Sequence, residues 1–452
     1  MTRLPRWAAL AVLGLVWLSA APGTAQAATP LRGLSDDLAF TDARAEQRAL
    51  AFATARQVGA RVARITLDWS LVAPGGDAKP RGFDATDPSD PAYRWGYVED
   101  AVRDAASERL RIVLVVIRAP AWAEGPRRPA GVPRGSWRPD PGELAAFMRA
   151  AARRFSGFHP DPRNQEIDLT VPGASLPHVR FWQVWDRPNS GVTLLPVGGV
   201  VERYRQMLAA SRRALLRVDR GNALVAGATT ASGPIEAVAF WKRLLSRGPR
   251  FEVAAHGPGV HRAARAGPQA PALGLTQVPA LRRLLLRAGR RSPIWLTGIG
   301  WDTPPHNPRG VSPAAQARFL TEALFMADRA GVALFEWNGL QDRSSHLPGL
   351  QSIASGLFFN YDNDLSRDPA KPGLRAFQFP FLVPNGRHQP GAWGIAPRPS
   401  DAVSIERRRS GGWKQVGVVT PARSGEFRVR ERGGRGVYRA RQGRAVSLSW
   451  RR

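Results

Sequence analysis

The stretch YVEDAVRDAASERLRIVLVVI, residues 97 to 117, decides the fold. Its first part is amphipathic at helical spacing. Its second part, RIVLVVI (111 to 117), is a continuous apolar run, the pattern of a strand buried on both faces. The same alternation runs along most of the chain. VARITL (62 to 67), RFWQVW (180 to 185), NALVAGA (222 to 228), FEVAAH (251 to 256), SPIWLTG (292 to 298) and GVALFEW (331 to 337) read as buried strands. Between them lie helical patterns such as GELAAFMRAAARRF, VVERYRQMLAASRRALLRV and SPAAQARFLTEALFMADRAG. Strands that alternate with helices are parallel strands joined by crossover helices. With LRGLSD (31 to 36) as the first strand, the count reaches eight. This predicts an α/β fold, a (β/α)8 TIM barrel with insertions.

Outward from the barrel, the pattern changes. Residues 1 to 27 read as a secretory signal peptide: Arg3 and Arg6, then WAALAVLGLVWLSAA, then the small-x-small site Ala25-Gln26-Ala27. The apolar run is shorter than the roughly 20 residues of a membrane span, and no later segment is apolar enough to be one. The barrel is expected over residues 28 to 385. Beyond it, LVPNGRHQPGAWGIAPRPS (382 to 400) is rich in Pro and Gly and reads as a linker or irregular lead-in. AVSIERR, WKQVGVV, GEFRVRE, GVYRARQ and AVSLSW follow with turn residues between them. Residues 386 to 452 are therefore expected to be a linker and a small antiparallel β domain, sandwich-like.

Composition narrows the chemistry. The chain has no cysteine, so it has neither a disulfide nor a thiolate nucleophile. Its formal net charge is +29, and only Lys79, Lys242, Lys371 and Lys414 of its 65 basic residues are lysine. Such a charge attracts anionic partners. The arginines are spread along the chain rather than gathered in one motif, which argues against nucleic acid; the charge is either a solvated surface set by compositional bias or an attraction to an acidic glycan or envelope polymer. The seven histidines form no HExxH, and no full calcium loop or phosphate-binding glycine loop occurs. No metal or cofactor is expected. NYDNDLSRD (360 to 368) is a short acidic loop without EF-hand spacing.

Six landmarks carry a resemblance. They are Arg64 at the second strand, APAWAEG (119 to 125) after the third, WDRPN (185 to 189) at the fourth, His256 in AAHGPG, WLTGIGWDT (295 to 303) at the seventh and FEWNGLQD (335 to 342) at the eighth. In this order they resemble the clan A glycoside hydrolases, family 39-like and family 5-like, over roughly residues 31 to 380. The resemblance implies a barrel whose acid/base sits at strand four and whose nucleophile sits at strand seven. Retaining chemistry needs the two carboxyl groups about 5–5.5 Å apart. At the corresponding positions this chain has Asp186-Arg187 and Gly298. Arginine stays protonated and is no general acid, and glycine has no side chain to attack with.

Three readings follow. The first is a secreted or envelope-associated pseudoenzyme that binds a glycan or envelope polymer. The second is an active O-glycosyl hydrolase with relocated carboxylates, drawn from Asp186, Glu336, Glu124 and Asp302. On strand alternation Asp186 points to the face opposite the acid it neighbours, unless the strand end bends. The third is a structural or protein-binding scaffold with a closed barrel mouth. The ligand-binding candidates are Arg64, Trp122, Asn189, His256, Trp301 and Trp337, with tryptophans supplying ring-stacking faces. Arg187 is expected either to meet an anionic group of a glycan or to bridge Asp186, Asp302 or Glu336.

Overall fold

A computed structural model describes residues 29–164, 174–231, 233–248, 250–259, 274–342, 354–384, 391–429 and 434–452. The expected signal peptide lies outside these. The eight expected strands all form: β1 (Leu31–Ser35), β2 (Val62–Asp68), β3 (Arg111–Ile117), β4 (Phe181–Val184), β5 (Ala223–Thr230), β6 (Val253–Gly257), β7 (Ile294–Ile299) and β8 (Leu334–Asn338). All neighbours are parallel, and β8 closes on β1 with Leu31 opposite Leu334 and Ser35 opposite Asn338. Helices cross between the strands, among them Gly96–Ser107, Pro141–Arg154, Val200–Val218 and Pro313–Arg329. Their starts are written locally. Asp140 accepts from the amides of Gly142 and Glu143, and Ser312 accepts from Ala315, each followed by proline at the first helical position.

Strand alternation sorts the core into two layers. Ile112, Leu114 and Val116 of β3 pack outward against the helices. Val113 and Val115 point into the barrel with Val62, Val225, Val253, Ala255, Trp295 and Leu334. The same parity puts Arg64, Gln183 and Glu336 inside the barrel, each two residues further along its strand than Val62, Phe181 and Leu334 and so one layer nearer the carboxyl ends, where barrel sites are built.

The tail is a small antiparallel β domain of two sheets. One holds β9 (Phe381–Leu382), β10 (Ala392–Ile395) and β13 (Glu426–Val429). The other holds β11 (Val403–Arg409), β12 (Gly412–Val419), β14 (Val437–Gln442) and β15 (Ala445–Val446), with β16 (Trp450–Arg451) on β14. Part of the expected linker is thus a buried strand, β10. Its Gly394 is required because a Cβ there would sit 2.4 Å from the Phe427 ring. Trp393 packs on Phe325 of the helix Pro313–Arg329, ring centroids 5.3 Å apart, and donates to Asp328.

Candidate functional site at the barrel mouth

Arg64 organises the mouth. It rises from β2 and donates to Gln183 Oε1 at 3.1 Å and to Asp186 Oδ1 at 2.7 Å. Its Nε lies 3.8 Å from Glu336 Oε2. Glu336 is fully buried, and its Oε2 accepts the Gly298 amide at 3.2 Å. Burial pushes the Glu336 carboxyl above its ordinary range, and Arg64 only partly opposes this. Burial also works against the Arg64 charge, but Asp186, Glu336 and Asp37 more than offset it and hold the guanidinium above its usual range. Both carboxyl groups meet one guanidinium, Asp186 Oδ1 at 2.7 Å and Glu336 Oε2 at 3.8 Å.

The β4 loop departs from strand alternation, and this corrects the expected direction of Asp186. Trp185 has φ 64° and Arg187 has φ 46°. The left-handed Trp185 turns its indole into the outer core and swings Asp186 inward to Arg64. Such backbone costs energy and persists only when its surroundings fix it. Here Trp185 Nε1 donates to Thr193 O at 2.7 Å, and Thr193 Oγ1 reaches the carbonyls of Asp186 and Arg187. Arg187 Nε lies 3.3 Å from Asp186 Oδ2, and half of its side chain is exposed. This is the bridge expected between Arg187 and Asp186. Beside it, Arg118 after β3 pairs with Asp68 and is 52% exposed.

Gly298 lies in a β7 irregularity, between Leu296 and Ile299, with φ 65°. Among the described residues, nothing stands within 4 Å of a Cβ built there. The residue faces solvent, so among the described residues open space lies where the resemblance implies a nucleophile.

The other candidates are elsewhere or already engaged. Glu124 accepts the Trp137 amide at 2.8 Å and lies 3.6 Å from Arg128, which ties down the loop of residues 125 to 142. Asp302 accepts from Asn307 and Ala354 and staples the β7 loop. Asn189 donates to Thr230 O and Ile235 O and accepts from Thr230 N, joining the β4 and β5 loops. His256 is buried on the helix side, 2.9 Å from Thr229 Oγ1. Trp301 and Trp337 are buried against each other with centroids 5.9 Å apart, so neither offers a stacking face to solvent. Trp122 is half-buried, donates to Pro74 O and lies under the Lys79 ammonium. In the acidic loop of residues 360 to 368, Asp364 accepts from Ser366, and Asp368 accepts from Gln341 and the Tyr361 amide. Sequence reasoning missed Gln183, Asp68 and Arg118. Their signal was parity: each is inward-facing or just past the end of a barrel strand.

No family model matches the sequence, and no curated protein matches it. Solved structures do. A family 39 glycoside hydrolase from Xanthomonas axonopodis pv. citri is similar at TM-score 0.54 and 12% identity, over 94% of each chain. One from the gut symbiont Bacteroides cellulosilyticus WH2 is similar at TM-score 0.53 and 15% identity, over 89% of this chain and 81% of that one. A family 39 β-xylosidase from Caulobacter crescentus is similar at TM-score 0.51 and 13% identity, over 84% and 83%. Likeness at such identities is likeness of fold, and the fold is that of the family 39 glycoside hydrolases, in agreement with the landmarks that run from Arg64 to FEWNGLQD.

Proposed function

We propose that the protein binds an anionic glycan at the barrel mouth without cleaving it. The observation that carries this reading is the open position at Gly298: nothing among the described residues fills it, while the candidate carboxylates Asp186, Glu124 and Asp302 are engaged by the protein itself. Glu336 is sealed from solvent and Asp186 is held by two arginines. Groups so engaged are poor at the proton transfers and in-line attack that hydrolysis needs. What the mouth does offer is cationic: the half-exposed guanidiniums of Arg118 and Arg187, suited to a uronate, sulfate or phosphate on a sugar. The expected export signal at residues 1 to 27 makes an extracellular or envelope glycan the intended target.

Calorimetric titration with a short oligogalacturonide and its neutral counterpart tests this. The acidic oligomer is expected to bind, and Arg118→Gln with Arg187→Gln is expected to weaken it by roughly tenfold or more, the size of a lost charge-assisted bond. Equal binding of both oligomers overturns the reading.

One observation favours a second reading, an active glycosidase. Asp186 and Glu336 meet the same Arg64 guanidinium, Glu336 accepts the Gly298 amide, and burial keeps Glu336 protonated towards higher pH, as a general acid requires. A hydrolysis screen on aryl glycosides separates the two. Turnover that disappears in Glu336→Gln establishes the second reading and sinks the first.

A further inference from the structure

The opposite end of the barrel carries a separate cluster of charge. Arginines stand at the amino-terminal ends of consecutive strands. Arg61 N donates to Arg32 O at 2.8 Å, and Arg111 N donates to Arg61 O at 2.9 Å, so three arginines follow one another across β1, β2 and β3. Arg180 directly precedes β4, Arg220 stands just ahead of β5, and Arg250 and Arg291 lie just ahead of β6 and β7. Like charges on directly neighbouring strands are destabilising.

Part of this floor is concave. A groove of about 630 Å³ between the barrel floor and the tail is lined by Arg32, Arg56, Arg61, Arg375, Arg439 and Arg444, and no carboxylate lines it. Among the described residues, only Arg439 of these six forms an ion pair, with Glu406. Arg56 Nη1 is buried there without a hydrogen-bond partner. A second trough of about 550 Å³ is lined by Arg180, Arg212 and Arg220, and its one acid, Glu252, is bound to Arg212. Among the described residues, five of the six groove arginines have no carboxylate partner. Burial and then Arg61 push Arg32 down to about 10. Burial and then Arg56 lower Arg61, and burial followed by Arg250 and Arg212 lowers Arg290.

We propose that the barrel floor and its groove with the tail form a second binding site, distinct from the mouth, for a linear acidic polysaccharide. Neighbouring strand ends lie about 5 Å apart, a spacing comparable to one sugar unit along a chain. Guanidinium forks match carboxylate, sulfate and phosphate groups. Two troughs suit a flexible chain better than they suit a flat membrane. Nucleic acid is disfavoured because, among the described residues, the rings that line the two troughs offer no free face for base stacking: Phe379 is buried, and Arg180 lies over Phe181 at 5.4 Å.

The experiment measures binding of the full-length protein to immobilised polygalacturonate, with dextran, double-stranded DNA and phosphatidylglycerol vesicles as comparisons. Binding to polygalacturonate and not dextran is expected, falling steeply as salt rises from about 50 to 200 mM. Arg56→Gln/Arg61→Gln/Arg444→Gln and, separately, Arg180→Gln/Arg220→Gln are each expected to weaken it by roughly tenfold. The substituted sets lie in different troughs, so either set that keeps its melting temperature carries the test alone. The mouth variant Arg118→Gln/Arg187→Gln should lose the short oligogalacturonide yet keep the polymer, which separates this site from the proposed function. Unchanged polymer affinity in the floor variants, polymer binding lost only in the mouth variant, or DNA or vesicles bound as tightly as polygalacturonate would each overturn it.

Discussion

The two ends of one barrel handle positive charge in opposite ways. At the mouth three arginines have a carboxylate: Arg64 has Asp186 and Glu336, Arg118 has Asp68, and Arg187 has Asp186. At the floor arginines neighbour arginines, and the field is left open. Substituting an arginine should therefore have opposite signs at the two ends. At the mouth Arg64 holds structure together while Arg118 and Arg187 keep half their side chains exposed beside a carboxylate; floor arginines strain the fold slightly and are left to attract something else.

The largest effect is expected from Arg64→Ala, which leaves Glu336 buried and unpaired. Breaking a buried ion pair from one side costs about 3–5 kcal/mol, measurable by denaturant unfolding. The double variant Arg64→Met/Glu336→Leu should recover most of that loss. A null result would mean that the mouth is as loosely balanced as the floor.

Asp328, where barrel meets tail, sharpens the comparison because there one arginine does not suffice. Burial, then Glu426, raises its carboxyl to about 6 despite Arg428. The folded state thus binds this proton more tightly than the unfolded chain does. The stabilisation it brings is complete below the ordinary carboxylate range and is lost as pH rises through about 6. The loss is on the order of 2–3 kcal/mol. Thermal unfolding between pH 4 and 7 should show this slope in the wild type and a flatter curve in Asp328→Asn.

Gly298→Ala comes next. The space is open, so only the left-handed backbone counts, at about 1–2 kcal/mol. A glutamate put back at this position bears the same penalty. The smallest effect belongs to the floor. Arg61→Gln should raise stability by about 0.2–1 kcal/mol at low salt, and the gain should fade in high salt. A loss instead would show that the floor arginines are structural.

Much of the barrel was legible because fully buried strands leave continuous apolar runs, and eight of them leave little choice of fold. Within the site, legibility followed parity. In β8, Leu334 and Glu336 point inward, so alternation puts Trp337 in the outer core, against its reading as a stacking face for ligand. Asp186 was not legible in this way, because a left-handed tryptophan reverses the alternation, and nothing in the letters WDRPN marks Trp185 as left-handed. Strand β10 was hidden for a different reason. Four residues set among prolines and glycines look like a connector until Phe427 is seen against Gly394.

The seat of Trp393 has a last consequence. One apolar cluster runs without a break from the barrel helices through Phe325 and Trp393 into Phe427, Tyr438 and Trp450. Tail and barrel therefore share a cooperative unit. Heating should produce a single transition, and the tail expressed apart from the barrel would have lost one wall of its own core.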